Sequence, residues 1–208
     1  MRTTVGFPIL VIASLIACAV SADEPAKAGL PAECSSPSAL AFSEGIKNLL
    51  SRSEEPGQNP RELWSKDATF RKWAASPKST LPVVERHLRC GPRASPSEVE
   101  LATATLQCLD FDAYLAYLKR LSQTAKSDSV GWALYYAMAP GLLRWSTRLA
   151  SNYTAANVKS TLKVVADSHN ATPALQRMII EILDGSTKQA IGKNPVKPFL
   201  TCGAGASK

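Results

Sequence analysis

Among the 208 residues, the types capable of chemistry are five cysteines, two histidines and scattered carboxylates. The histidines, His87 and His169, are far apart in the chain, and neither lies in an HExxH arrangement or beside a cysteine pair. The spacing that builds a zinc site is missing. Asp167-Ser168-His169 sets an acid, a hydroxyl and an imidazole in a row, but no GxSxG turn presents a nucleophile. Asp110 and Asp112 are close enough for paired acid–base work, yet Asp110 reads better as a helix cap. No glycine-rich phosphate loop is present. The sequence therefore offers no catalytic residue, no metal ligands and no cofactor site, and His87, next to Arg86, is expected at the surface or its boundary.

The cysteines suggest a structural chemistry. Residues 1–22 read as an export signal, with Arg2 ahead of an apolar run from Val5 to Ala17 and Val20-Ser21-Ala22 as the cleavage site. A second reading competes: Leu15-Ile16-Ala17-Cys18 resembles a bacterial lipobox. That resemblance implies removal of residues 1–17, a lipid on Cys18 and, with Ala19 rather than Asp behind it, an anchor in the outer membrane. Residues 23–33 would then be a tether. Either cut places the chain in the periplasm and keeps Cys34, Cys90, Cys108 and Cys202, which implies two disulfides.

The elements that must position these groups are helical. The stretch Val130–Leu143 carries no charge and is bracketed by Asp128 and Arg144. At about 100° per residue, Ala133, Leu134, Ala137 and Met138 share a face with Val130, while Trp132, Tyr135 and Tyr136 fall on the other side. A helix apolar all round is a buried spine. With Pro140-Gly141 inside, it is too short and too broken to span a bilayer, which needs about 20 residues. The chain around it shows the same periodicity. Helices are expected from Ser36-Pro37 to Ser53, from Asn59-Pro60 with a break near Asp67, from Thr80 to Leu88, and from Ser95-Pro96 to Leu109. Others follow from Asp110 to about Ser122, through the spine, over 142–149, from a cap at Thr154, and from Thr172-Pro173 to Gly185. No run alternates at period two. The fold class is all-α: one domain over 34–190 of seven to nine antiparallel helices, then a basic tail over 191–208.

Alternating helix directions constrain the cysteines. Cys90 and Cys108 end successive helices, which puts them ~18–20 Å apart at 1.5 Å per residue. A disulfide needs Cα atoms within ~7 Å. Counting directions pairs Cys34 with Cys108 and Cys90 with Cys202.

The net charge of +7 is uneven. Residues 61–94 carry +5 and 131–208 carry +6, while 23–60 and 95–130 carry −3 and −2. Basic blocks of this kind steer an acidic partner or keep a surface solvated. Without interleaved basic and aromatic motifs, nucleic acid is not an expected partner.

A degenerate repeat runs through the helices. Ser95-Pro96 and Thr172-Pro173 both open helices that close on Leu-Asp, at Leu109-Asp110 and Leu183-Asp184. Their separation is close to two units of about 40 residues. This resembles HEAT-like stacked hairpins over about 80–185, which implies an extended binding groove. In size, export and architecture the chain also resembles bacterial immunity proteins of the periplasm. That resemblance implies a non-enzymatic protein that blocks an envelope-directed toxin by contact. The alternatives are a structural or adaptor envelope lipoprotein, and a lysozyme-like cell-wall hydrolase. For the hydrolase, which needs a catalytic Glu at a helix end, Glu44 lies inside an expected helix, and Glu54 and Glu55 at its end lack the Glu-Ser context typical of lytic transglycosylases. The contact residues expected for a protein partner are Tyr117, Trp132, Tyr135, Tyr136 and Trp145, with Trp64 and Trp73 as alternatives. Tyr117 lies about 100° off the apolar face of its helix and is expected to point outward.

Overall fold

The computed structural model describes residues 32–53, 59–90, 94–139, 145–186, 200 and 202. The expected export segment with Cys18, most of the tether and tail, and Pro140-Gly141 lie outside the described residues. Within them are a 3-10 turn at Ala32–Ser35 and ten α-helices, with no strand. These are α1 (Pro37–Ser53), α2 (Pro60–Lys66), α3 (Ala68–Ala75), α4 (Pro77–Cys90) and α5 (Pro96–Ala104). They continue as α6 (Phe111–Gln123), α7 (Asp128–Met138), α8 (Ser146–Ser151), α9 (Ala156–Ala166) and α10 (Pro173–Leu183).

Local chemistry sets most of the boundaries. Asn59, Ser95, Asp110 and Thr172 each accept a backbone N–H of the first turn that follows, and three of them precede a proline whose missing donor costs nothing there. Asp67 closes α2 and caps α3 by accepting from Thr69 N and Phe70 N, and Arg52 reaches its other oxygen at 2.8 Å. Burial pulls the Asp67 carboxyl upward, but these N–H groups and Arg52 together hold it below the usual range. This split, at the expected break, takes the helix number among the described residues from nine to ten. Two caps differ from expectation. α4 opens at Pro77, and Thr80 sits inside it with its hydroxyl on the Trp73 and Ser76 carbonyls. α9 opens after Ala155 with no side-chain cap, so Thr154 does not serve. Helix α10 is followed by Gly185 at φ 81°, the left-handed turn glycine favours.

Helix α7 is the centre: it packs against α4, α5, α6 and α10. Val130, Ala133, Leu134 and Ala137 on it are fully buried. The α5 helix lies chiefly on α7 and α1, and α6 on α9 and α7. The dominant neighbours are thus not sequential hairpins, and HEAT-like antiparallel stacking is not confirmed. Gly131 permits one close approach, since a Cβ there would lie 3.0 Å from the Asn170 carbonyl oxygen. Asn170, 4% exposed, joins two connections: its amide oxygen accepts from Ser127 N, and its amide nitrogen donates to Thr124 O.

The disulfides are Cys34–Cys90 and Cys108–Cys202, each with Cα atoms 5.5 Å apart. The expected pairing of Cys34 with Cys108 and Cys90 with Cys202 is therefore wrong, although the exclusion of Cys90–Cys108 holds. The direction count assumed strictly alternating helices, and residues 60–75 form two helices divided at Asp67. The 3-10 turn lies against α4, which brings Cys34 to the last residue of α4. Cys108 sits in the turns after α5 and not on a helix end.

Candidate functional site

The spine helix is not buried on every side, as its composition led us to expect. Trp132 is 37% exposed, and Tyr135 and Tyr136 are half-buried. Residues three and four apart share a helix face, so the three rings form one ledge. Trp132 stacks on Tyr136 with centroids 5.8 Å apart and planes inclined by 25°. Tyr135 meets Trp132 edge-on at 6.0 Å and Tyr136 at 5.5 Å. The inner edge of the ledge rests on the core. Beside it, Arg61 of α2 pairs with Glu100 of α5 at 3.2 Å. Burial raises the pKa of the Tyr136 hydroxyl, Glu100 and Tyr135 add to the rise, and Arg61 opposes it. The hydroxyl therefore stays protonated at neutral pH and is available as a donor.

The other aromatic candidates are structural. Tyr117 is fully buried, not outward-facing. Its side of α6 is covered by neighbouring helices: the hydroxyl lies toward Thr103 of α5, with Glu85 of α4 nearby. Burial, then Glu85, pushes its pKa well up. Trp145 is also buried; its indole N–H donates to the Leu109 carbonyl, and its ring meets Phe111 edge-on at 5.7 Å. Arg148 lies over both rings. Trp64 is buried and donates to Ser53 Oγ at 2.8 Å, while Trp73 packs on Phe42 at 4.6 Å. Of the contact residues expected from sequence, α7 brings together Trp132, Tyr135 and Tyr136 and leaves Tyr117 and Trp145 in the core.

The histidines do not form a reactive pair. His169 is exposed, and its Nε2 lies 2.8 Å from the Thr124 carbonyl, so that nitrogen carries the proton and cannot serve Ser168 as a base. His87 is buried, contrary to the expectation of a surface or boundary residue. It packs edge-on against Phe42, and its Nε2 lies 3.3 Å from Glu98 Oε1 without hydrogen-bond alignment. Burial lowers the imidazole pKa below 6.5; Glu98 opposes this and Lys47 reinforces it. The folded chain thus takes up the proton less readily than the unfolded chain. The stability this contributes is complete above the unfolded value and falls as pH drops below about 6.5 toward the folded value. We expect the urea midpoint to decline between neutral pH and pH ~5, and to decline less steeply over that window in His87→Leu.

A second feature was not anticipated from sequence. A cavity of about 1000 Å³ lies at the junction of α3 and α4, beside the start of α6 and the Cys108–Cys202 bond. Arg71, Lys72 and Lys78 line it, with Asp110, Ala75 and Leu200. Lys78 Nζ is 2.9 Å from Asp110 Oδ2. The hydrogen bond from Lys78, with that from Ala113 N, holds the Asp110 carboxyl below its ordinary range. The basic block over 61–94 was the available sequence signal, but nothing in it pointed to residues 200 and 202.

Among the described residues, no three His, Cys, Asp or Glu side chains are grouped to hold a metal ion, and no helix is long and apolar enough to cross a membrane. Compared with protein-family models, curated proteins and solved structures, the chain matches none.

Proposed function

We propose that this chain is an exported binding protein of the bacterial envelope, an inhibitor that occludes an envelope-directed toxin through the ledge of α7. The observation that carries the reading is Trp132: a large apolar ring held open to solvent on the helix that organises the core, stacked on Tyr136 and braced by Tyr135. Rigid aromatic side chains backed by packed structure are the residues that dominate protein–protein binding energy. The Arg61–Glu100 pair beside them supplies a polar rim. The export-signal pattern and the four retained cysteines support an oxidising compartment, where such a toxin would be met.

The test directs the product of the neighbouring gene to the periplasm of a host, alone and with this chain. The expected result is arrest without the chain, growth with it, and a stable complex on purification. Trp132→Ala should weaken that complex by about 30-fold or more, the loss of a central Trp anchor, with little change in melting temperature. A neighbour that is harmless in the periplasm, or a complex indifferent to Trp132→Ala, overturns the reading. Retention in the membrane fraction with no partner would favour the structural lipoprotein instead.

A further inference from the structure

We infer that the cavity between the α3–α4 junction and the Cys108–Cys202 bond binds a small amphipathic organic anion, with its head group on Arg71 and Lys72. This site is separate from the α7 ledge and does not depend on the docking reading. The argument begins with charge. Three cations and one carboxylate line the cavity. Asp110 is already committed to Lys78 at 2.9 Å and to capping α6 through Ala113 N. No ion pair to Arg71 or Lys72 is found among the described residues, so the described lining carries more positive than negative charge. The amino end of α4, which opens at Pro77 on the same wall, adds the positive pole of a 14-residue helix.

The rest of the wall fits an apolar body. Ala68, Ala74, Ala75 and Leu200 line it, and its surface is mostly apolar. A volume of about 1000 Å³ matches the range of small-molecule pockets. The chain's own tail is a poor match in charge, because the residues leading to Leu200 include Lys193 and Lys197. An anionic head with a short hydrocarbon body satisfies both halves of the lining. The bond to Cys108 holds Cys202 in this wall, and Leu200 beside it also packs on the hydrophobic core. Oxidation of the chain thus contributes to the site.

The experiment titrates the oxidised full chain with hexyl phosphate and with hexanoate by calorimetry. Inorganic phosphate serves as the head group alone, and hexanol as the body alone. The expected result is saturable 1:1 binding of at least one of the two amphiphiles, tighter than either control; the preferred one identifies phosphate ester or carboxylate as the natural head. Arg71→Ser/Lys72→Ser should weaken it by about tenfold or more, the loss of charge-assisted hydrogen bonds. Lys159→Ser/Lys163→Ser removes the same charge from the exposed side of α9 and should leave binding unchanged. Cys202→Ser should also weaken binding. No saturable binding of either amphiphile, or equal loss in the two double-serine variants, overturns the proposal. Because the Arg71 and Lys72 side chains are exposed, their replacement is compatible with folding.

Discussion

Replacing Cys34 and Cys90 together with serine lowers the unfolding free energy by about 3–4 kcal/mol, whereas the same change at Cys108 and Cys202 costs about half as much or less. The chain-entropy argument alone predicts the reverse order. It assigns ~4 kcal/mol to a bond spanning 56 residues and slightly more to one spanning 94. That argument assumes that both ends stay in place in the native state when the bond is gone. Cys34 satisfies the assumption: it is buried, precedes a helix that buries Phe42 and Ile46, and meets the last residue of α4. Cys202 does not: it and Leu200 are only half-buried. Once freed, that end regains chain entropy in the native state too, and much of the cost is offset. Urea titrations of the two double variants at one pH provide the check. Equal losses, or a larger loss at Cys108–Cys202, would mean that the tail is held by more than its bond.

Leu134→Ala should cost about 2–5 kcal/mol, the range for a leucine removed from a core that cannot close over the gap. Leu134 is fully buried on α7, which packs on four other helices, so no single neighbour can move in without losing its own contacts. Trp132→Ala, two residues earlier on the same helix, should cost under ~1 kcal/mol in stability despite the larger side chain deleted, because part of that ring is already in water. The pair of variants separates the two faces of α7: one destabilises the fold, and the other leaves stability nearly unchanged and impairs binding. Chemical denaturation of both, read by circular dichroism, measures the contrast. A stability loss at Trp132 equal to that at Leu134 would show the ledge to be core.

Features governed by neighbouring residues in the chain were legible beforehand. Ser95-Pro96 and Thr172-Pro173 announce helix starts because a hydroxyl cap and a proline at the first position are local devices. The central place of α7 was readable from the charge-free run that begins at Val130, although the Trp132 side of that run is open to solvent. Features that depend on which helix lies on which were not legible. Tyr117 falls outside the main apolar face of α6, and only its contact region on α5 and α4 makes it core. His87 is buried for the same reason, between Phe42 and Glu98 from elements distant in sequence. The cysteine pairing turned on which helix ends meet, the 3-10 turn against α4 in particular, and strict alternation of directions did not capture that. The cavity joins Arg71 to Cys202, which no local pattern connects.

The position of Asn170 bears on how the protein can be made. A eukaryotic secretory host would read Asn152-Tyr153-Thr154 and Asn170-Ala171-Thr172 as acceptors for N-linked sugar. Asn152 is exposed, and its amide nitrogen, which donates to the Arg148 carbonyl, keeps one hydrogen for that bond when it carries a glycan. Asn170 cannot carry one: it is buried, and its amide bonds Ser127 N and Thr124 O, so a sugar attached there during synthesis would displace those bonds. Secretion from yeast or mammalian cells should therefore yield misfolded material unless that acceptor is removed. Thr172→Asp does so while keeping an oxygen to cap α10.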